Sequence, residues 1–336
     1  MVQKLEGHHA RKRFGQNFLN DPHWIGKIVD SIDPQPEHVL IEIGPGQAAL
    51  TREIIAKSGH ETAIEIDRDL AAWLRSIFPE TLELIEADAL KLDWSKVHPG
   101  EKLRIFGNLP YNISSPLLIS LIAVRGRVTD QHFMLQKEVV DRMVSAPGGK
   151  TYGRLSAVLQ RYYRMMKLFD VPPGAFTPAP KVTSSVVRMI PIAREETSPE
   201  EDAAYSEVVA ASFSMRRKTL RNSLGKLLTA EEIESAGINP GVRAETLSVS
   251  DFESLTRVYL AKRAAENRSG SERQISDNDL TERRSRLFVV RLDRPDLSPE
   301  ARAVVHFHQV RKFMRRDVID RVIIKKDQPP VEADSA

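Results

Sequence analysis

The 336-residue chain contains no cysteine, which excludes disulfides and thiolate metal ligands and suits a reducing compartment. Long hydrophobic runs are missing too. The most apolar stretch, residues 116–124, is too short to span a bilayer, and the N-terminal MVQKLEGHHARKRFGQNF lacks the apolar centre of a secretion signal. Net charge is small, +3 from 49 Lys and Arg against 46 Asp and Glu, so a charged partner would have to be met by local clusters. The HFH pair, His306 and His308, has no acid or thiol partner at helical spacing, and no metal site is expected. The expectation is a soluble cytoplasmic protein with no membrane association.

What is present is an alternation of strand-like and helix-like segments. HVLIEI (38–43), TAIEI (62–66), LELIEA (82–87), KLRIFG (102–107) and HFML (132–135) are spaced as successive βα units. Ser115 is expected to cap the helix before the last of these, with Pro116 at its first position. MMKLFDV (165–171) and SSVVRMIPI (184–192) lie too close for a crossover helix and should be antiparallel. The fold class is therefore α/β, a seven-stranded sheet over residues 1–195 with helices on both faces. After the polar linker AREETSPEED (193–202) only helix-like segments follow, including RKTLRNSLGKLL and a last helix opened by Ser250 and Glu253. These make a small all-helical second domain over 200–264. Residues 265–280 read as a flexible polar linker, which opens a basic extension, residues 265–336, of unknown role.

The first strand ends in EIGPGQAAL. Gly44 and Gly46 allow a tight turn and close approach of a ligand to the backbone. Glu65, at the end of the second strand, stands where such folds bind ribose hydroxyls. An adenosine-containing cofactor is indicated, against the plainer reading of a strand-to-helix turn beside a surface acid. Pro45 removes one donor that a pyrophosphate could use, and Asp88 adds a carboxylate at the same edge. A diphosphate is repelled there, whereas an adenine amino group can donate to the acid. S-adenosylmethionine is favoured over NAD.

The fourth strand ends in GNLPYNIS (107–114). An exocyclic amine on a nucleobase is a poor nucleophile because its lone pair is delocalised into the ring. Two acceptors on its N–H groups would orient it and stabilise the developing positive charge. Asn108 offers a side-chain oxygen, Leu109 a carbonyl whose direction Pro110 constrains, and Tyr111 a ring to stack on the base.

Taken in order, ARKRFGQNFL (10–19), EIGPG (42–46), IEID (64–67), DAL (88–90), GNLPYNIS (107–114), MLQKEVVDRM (134–143), YGRLS (152–156), FTPAPKVTSSVVR (176–188) and RRKTLRNSL (216–224) closely resemble the bacterial small-subunit (16S) ribosomal RNA adenine dimethyltransferases. These are relatives of the 23S erythromycin-resistance methyltransferases, and the match runs from about His9 to Arg263. The resemblance implies a Rossmann-like S-adenosylmethionine-dependent methyltransferase domain. It implies cofactor contacts from Asn17, Leu19, Gly44, Glu65, Asp88 and Asn108, with Gly46 in the same turn. It also implies a target pocket of Asn108, Leu109, Pro110 and Tyr111, with Phe176 stacking on the opposite face of a flipped adenine. The implied reaction methylates N6 of two adjacent adenosines in a hairpin near the 3′ end of 16S rRNA, in a small-subunit precursor, by a monomeric enzyme. The family pattern ends near Ala264.

For RNA contacts, Arg11, Lys12 and Arg13 form one basic block, and Arg216, Arg217, Lys218 and Arg221 another, expected on a helix. Arg154, Arg161 and Arg164 are a third candidate set, for which a solvated helix face is nearly as good a reading. Three alternatives remain: modification of the large subunit instead, an assembly checkpoint with methylation secondary, and, remotely, an NAD dehydrogenase.

Overall fold

The computed structural model describes residues 16–193, 197–215 and 217–276, with side chains of the last helix through Asn267. Arg11, Lys12, Arg13, Arg216, His306 and His308 lie outside the described residues, as does the extension after Ser276.

The strands are β1 (Phe18–Leu19), β2 (Val39–Ile43), β3 (Glu61–Glu65), β4 (Leu82–Glu86), β5 (Leu103–Asn108), β6 (Val128–Gln136), β7 (Tyr163–Val171), β8 (Phe176–Thr177) and β9 (Ser184–Pro191). The helices are α1 (Pro22–Ile32), α2 (Ala49–Ser58), α3 (Arg68–Ile77), α4 (Ser114–Ser120), α5 (Lys137–Met143), α6 (Arg154–Gln160), α7 (Pro199–Ser212), α8 (Leu220–Ser223), α9 (Ala230–Ser235) and α10 (Val249–Ser276). Seven strands form one sheet in the order β4-β3-β2-β5-β6-β9-β7. Strands β2 to β6 pair in parallel, and β9 runs antiparallel to both β6 and β7. β1 and β8 form a separate antiparallel pair of two residues each.

The central strands are apolar on both sides because helices cover both faces. Ile41, Ile43, Ile105, Phe133 and Leu135 point into a core shared with Leu117 and Leu118 of α4, Val140 and Met143 of α5 and Leu159 of α6. Leu40, Phe106 and Met134, one residue out of phase, pack with Ile28, Val29 and Ile32 of α1 and Leu50 and Ile54 of α2. The two-residue period of a strand thus divides one apolar run between two cores. At the N-terminal ends of the strands, buried Arg104 donates to Asp130 at 2.8 and 3.0 Å and to the Ile32 and Asp33 carbonyls at 2.6 and 3.0 Å. A guanidinium at those last carbonyls of α1 satisfies groups the helix cannot pair itself.

The helical segment α7–α10 has its own core of Tyr205, Leu220, Leu224, Leu228, Ile233, Phe252 and Leu255, continuous with Tyr152, Ala157 and Val158 beside the sheet. The expected caps differ. α4 starts at Ser114, with Ile113 at its N-cap and no side-chain cap, so Ser115 does not cap it. The start of α10 is held by Ser248 and Asp251, whose side chains each accept the other's backbone N–H, two residues before the expected Ser250 and Glu253. RKTLRNSLGKLL is helical only at α8, because the Leu220 and Arg221 N–H groups donate to the Val242 and Pro240 carbonyls. Arg217, Lys218 and Arg221 therefore lie on a turn and a short helix, not along one helix face. The polar segment after Ala264 continues as α10 to Ser276, helix where flexible chain was expected. Among the described residues no helix is long and apolar enough to cross a membrane.

Arg161 corrects another expectation. Its side chain is wholly buried, paired with Glu201 (3.0 Å), Asp202 (2.9 Å) and Glu253 (3.3 Å), and its guanidinium lies 4.1 Å from the Tyr205 ring centroid. It cannot reach a phosphate. It instead joins the end of α6 to the first turns of α7 and α10. Arg161→Ala would leave three carboxylates facing each other without a cation, and should lower stability by ~3–5 kcal/mol in urea unfolding. The slope of RNA affinity against salt should stay unchanged.

Candidate functional site

A cavity of about 310 Å³ opens at the C-terminal ends of β2, β3, β4 and β5, lined by residues 16–19, the glycine turn, Glu65, Ile66, Asp88 and residues 108–113. Asn17, Leu19, Gly44, Gly46, Glu65, Asp88, Asn108, Leu109, Pro110 and Tyr111 are all on its wall.

The glycine turn is packed against its neighbours. Gly44 and Gly46 have φ of +72° and +55°, and a Cβ on Gly46 would come within 3.1 Å of the Phe18 ring. Three of its N–H groups are already used: Gly44 N–H goes to Ile64 O (2.9 Å), Ala48 N–H to Pro45 O (2.9 Å) and Gly46 N–H to Glu65 Oε2 (3.3 Å). Pro45 has none. These positions offer no open donor to a pyrophosphate, which would also meet the Glu65 and Asp88 carboxylates. A ligand presenting hydroxyl and amino donors fits this wall. An adenosine carrying a sulfonium side chain has that chemistry.

Glu65 is 4% exposed. Its Oε1 accepts the Ile66 and Asp67 N–H groups, both at 2.9 Å. Burial pushes its pKa up to about 7 against the lowering effect of these N–H groups and that of Gly46. Asp88 uses Oδ1 to accept the Leu90 N–H at 3.0 Å and has Lys91 3.7 Å from Oδ2. The carboxylate thus holds the turn after β4 while also facing the cavity.

On the opposite wall, a Cβ built at Gly107 would overlap the Ile43 carbonyl oxygen, so only glycine lets β5 pass β2 there. Asn108 follows, and its Nδ2 donates to the Asn17 carbonyl at 3.0 Å. A carbonyl can only accept, so the amide is fixed with nitrogen towards Asn17 and oxygen away from it. Leu109 is 1% exposed, its side chain in the core and its N–H on the Met134 carbonyl at 3.2 Å. Ile113 N–H takes the Pro110 carbonyl at 3.1 Å, and Ser114 Oγ takes that of Tyr111 at 3.2 Å. Half-buried Tyr111 meets Ser184 Oγ at 2.9 Å, and burial raises its pKa.

Phe176 is placed differently from the rest. It is 4% exposed, pairs with Leu19 through β8 and β1, and packs in the core with Met134 and Val186, off the cavity wall. Arg217, Lys218 and Arg221 are exposed on the helical segment. Gln16, Phe18, Glu42, Ile66 and Asn112 also line the cavity and were not anticipated. Ile66, 44% exposed just after Glu65, was the legible one, since an apolar side chain at an open strand end offers a face to a ring. Among the described residues no group of three or more His, Cys, Asp or Glu side chains could hold a metal ion.

A family model described as ribosomal RNA adenine dimethylase matches residues 7–260. A ribosomal RNA small subunit methyltransferase A of Aromatoleum aromaticum is 53% identical over 259 residues, covering 77% of this chain and 97% of the relative. The protein of the same name from Thiobacillus denitrificans is 52% identical over 257 residues, covering 76% of this chain and all of the relative (100%). Among solved structures, a dimethyladenosine transferase from Plasmodium falciparum superposes with a TM-score of 0.60 at 24% identity, covering 71% of this chain and 95% of its own. The 23S rRNA methyltransferase ErmE gives 0.56 at 23%, covering 72% and 99%. At that identity the two structures speak for the fold.

The raised pKa of Glu65 gives a testable direction for any ligand whose hydroxyls it would accept. The ionised carboxylate is the better acceptor for ligand hydroxyls, so S-adenosylmethionine affinity should rise as pH increases through about 7 and level off above it, by up to ~10-fold per pH unit below that point. Calorimetric titrations at several pH values check this. Glu65→Gln should weaken binding at high pH and flatten the Glu65-dependent part of the profile.

Proposed function

The chain belongs to the ribosomal RNA adenine dimethylase family, and from that premise we propose how its cavity carries out the reaction. The enzyme transfers methyl groups to N6 of two adjacent adenosines in a hairpin near the 3′ end of 16S rRNA. The observation that carries this reading is the fixed Asn108 amide, its oxygen turned away from Asn17, on a cavity that also holds Glu65 and Asp88.

S-adenosylmethionine, when bound, supplies an electrophilic methyl on a sulfonium. Glu65 would accept from its ribose hydroxyls and Asp88 from its adenine amino group, while Asn17, Leu19 and the glycine turn would enclose the rest. In the target pocket, Asn108 Oδ1 and the Leu109 carbonyl would accept from the amine of an extruded adenine, turn its lone pair towards the methyl and stabilise positive charge as the N–C bond forms. No strong base is required early, because the nitrogen proton becomes acidic only as that bond forms. Tyr111 would stack on the base. Phe176 joins only if β8 shifts when RNA binds, since its side chain is buried and its strand is paired to Leu19. A second methylation requires the acceptors to leave room for one methyl, which an amide and a carbonyl on one side of the nitrogen allow. The substrate is a small-subunit precursor, met by a monomer in the cytoplasm.

Transfer of labelled methyl groups to under-methylated small subunits, followed by nucleoside analysis, should yield dimethyladenosine, and Asn108→Ala should reduce the rate by at least ~100-fold. If dimethyladenosine disappeared only from the large subunit on loss of the protein, the substrate assignment would be overturned. Arg217, Lys218 and Arg221 are assigned to phosphate contacts. Changing all three to Ala should weaken RNA binding and reduce the log–log salt slope by ~2–3, with S-adenosylmethionine affinity unchanged. An unaltered slope removes them from the interface.

A further inference from the structure

We propose that Ser184 is a positioning residue for methyl transfer, holding the Tyr111 ring at the tilt needed to stack the target base. The proposal rests on the reading of Tyr111 as the base platform and extends it to a residue 73 positions away. Ser184 opens β9 and is fully buried, 0% exposed. Ladder pairing holds it on both sides, to Gln136 of β6 and Val171 of β7. It is off the cavity wall, so it acts through its neighbour. That neighbour is the Tyr111 hydroxyl, 2.9 Å from Ser184 Oγ.

The loop carrying Tyr111 is fixed along its backbone by Leu109 N–H to Met134 O, Ile113 N–H to Pro110 O and Ser114 Oγ to Tyr111 O. What the backbone leaves undetermined is the direction of the ring. A phenol held at its far end by a buried hydroxyl loses that freedom, and the anchor is the sheet itself. Stacking depends on ring offset and tilt, and methyl transfer needs the amine within near-attack distance of the methyl carbon. A small swing of the platform would therefore act on the chemical step. Both hydroxyls can donate or accept, so the contact needs no charge and persists across neutral pH. Tyr111 burial keeps the phenol protonated.

The test is the single-turnover rate of labelled methyl transfer to small subunits from cells lacking this activity, at saturating subunits and cofactor. Ser184→Ala and Tyr111→Phe each remove one partner of the bond and should each slow transfer about fivefold. The double variant should be no slower than either single, because both delete the same contact. Ser184→Thr keeps the hydroxyl and should restore most of the rate. Each single variant leaves a hydroxyl without its partner, so the thermal midpoint should fall modestly in both, while S-adenosylmethionine affinity by calorimetry and full folding at the assay temperature should be retained. A normal rate for Ser184→Ala, or multiplying losses in the double variant, would overturn the role of Ser184. So would a rate loss accompanied by weakened S-adenosylmethionine binding or by partial unfolding at the assay temperature. Tyr111→Ala separates the two levels: unchanged transfer removes the platform reading itself, whereas an inactive Tyr111→Ala beside a normal Ser184→Ala removes only the positioning role.

Discussion

At Gly107 the backbone of β5 runs so close to the Ile43 carbonyl that no side chain fits between them, and this approach sets up the rest of the site. It brings the end of β5 against the turn that follows β2. Asn108 then reaches the Asn17 carbonyl, and the residues after it fold back onto Met134 and Ser184. One strand end thereby brings together the wall that carries the glycine turn, the N-terminal segment and the loop that carries Tyr111. A polar group that must meet a short-lived charge is most effective when its orientation is set before the charge appears. Here that orientation comes from a carbonyl that can only accept.

Much of the sheet was legible in the sequence, because strands buried on both faces read as continuous apolar runs. The glycine turn, Glu65, Asp88 and GNLPY were legible for a related reason: each departs from what a strand end ordinarily carries. Features that depend on distant partners were not. The pairing of β1 with β8 joins residues near positions 18 and 177 through two residues each, too few to leave a periodic signal. Phe176 has the chemistry of a stacking residue, and only its pairing with Leu19 shows it in the core. Arg161 has the composition of a phosphate contact, and its three acidic partners come from α7 and α10. The start of α10 was missed by two residues because Ser248 and Ser250 each have an acid three positions on, and that of α4 because its N-cap is Ile113, which carries no capping side chain.

Buried arginines do the joining in this chain at both extremes of the α/β region. Arg104 ties the end of α1 to the strand starts, and Arg161 ties the helical segment to α6. A planar guanidinium with several donors can satisfy carbonyls and carboxylates from different elements at once, which a lysine could not. The helical segment shares a core with α6 as well, so its exposed cations are presented from a surface held against the catalytic sheet by both apolar packing and charge.

The committed N–H groups of the glycine turn reach beyond binding of one ligand. Adenine nucleotides offer the same base and ribose but would bring phosphates towards a turn whose Gly44, Gly46 and Ala48 N–H groups are committed and towards the acidic side chains of Glu65 and Asp88. The same fixed charge that opposes a phosphate attracts a cation, so an acidic wall of this kind sorts adenosine-bearing ligands by the sign of what they carry.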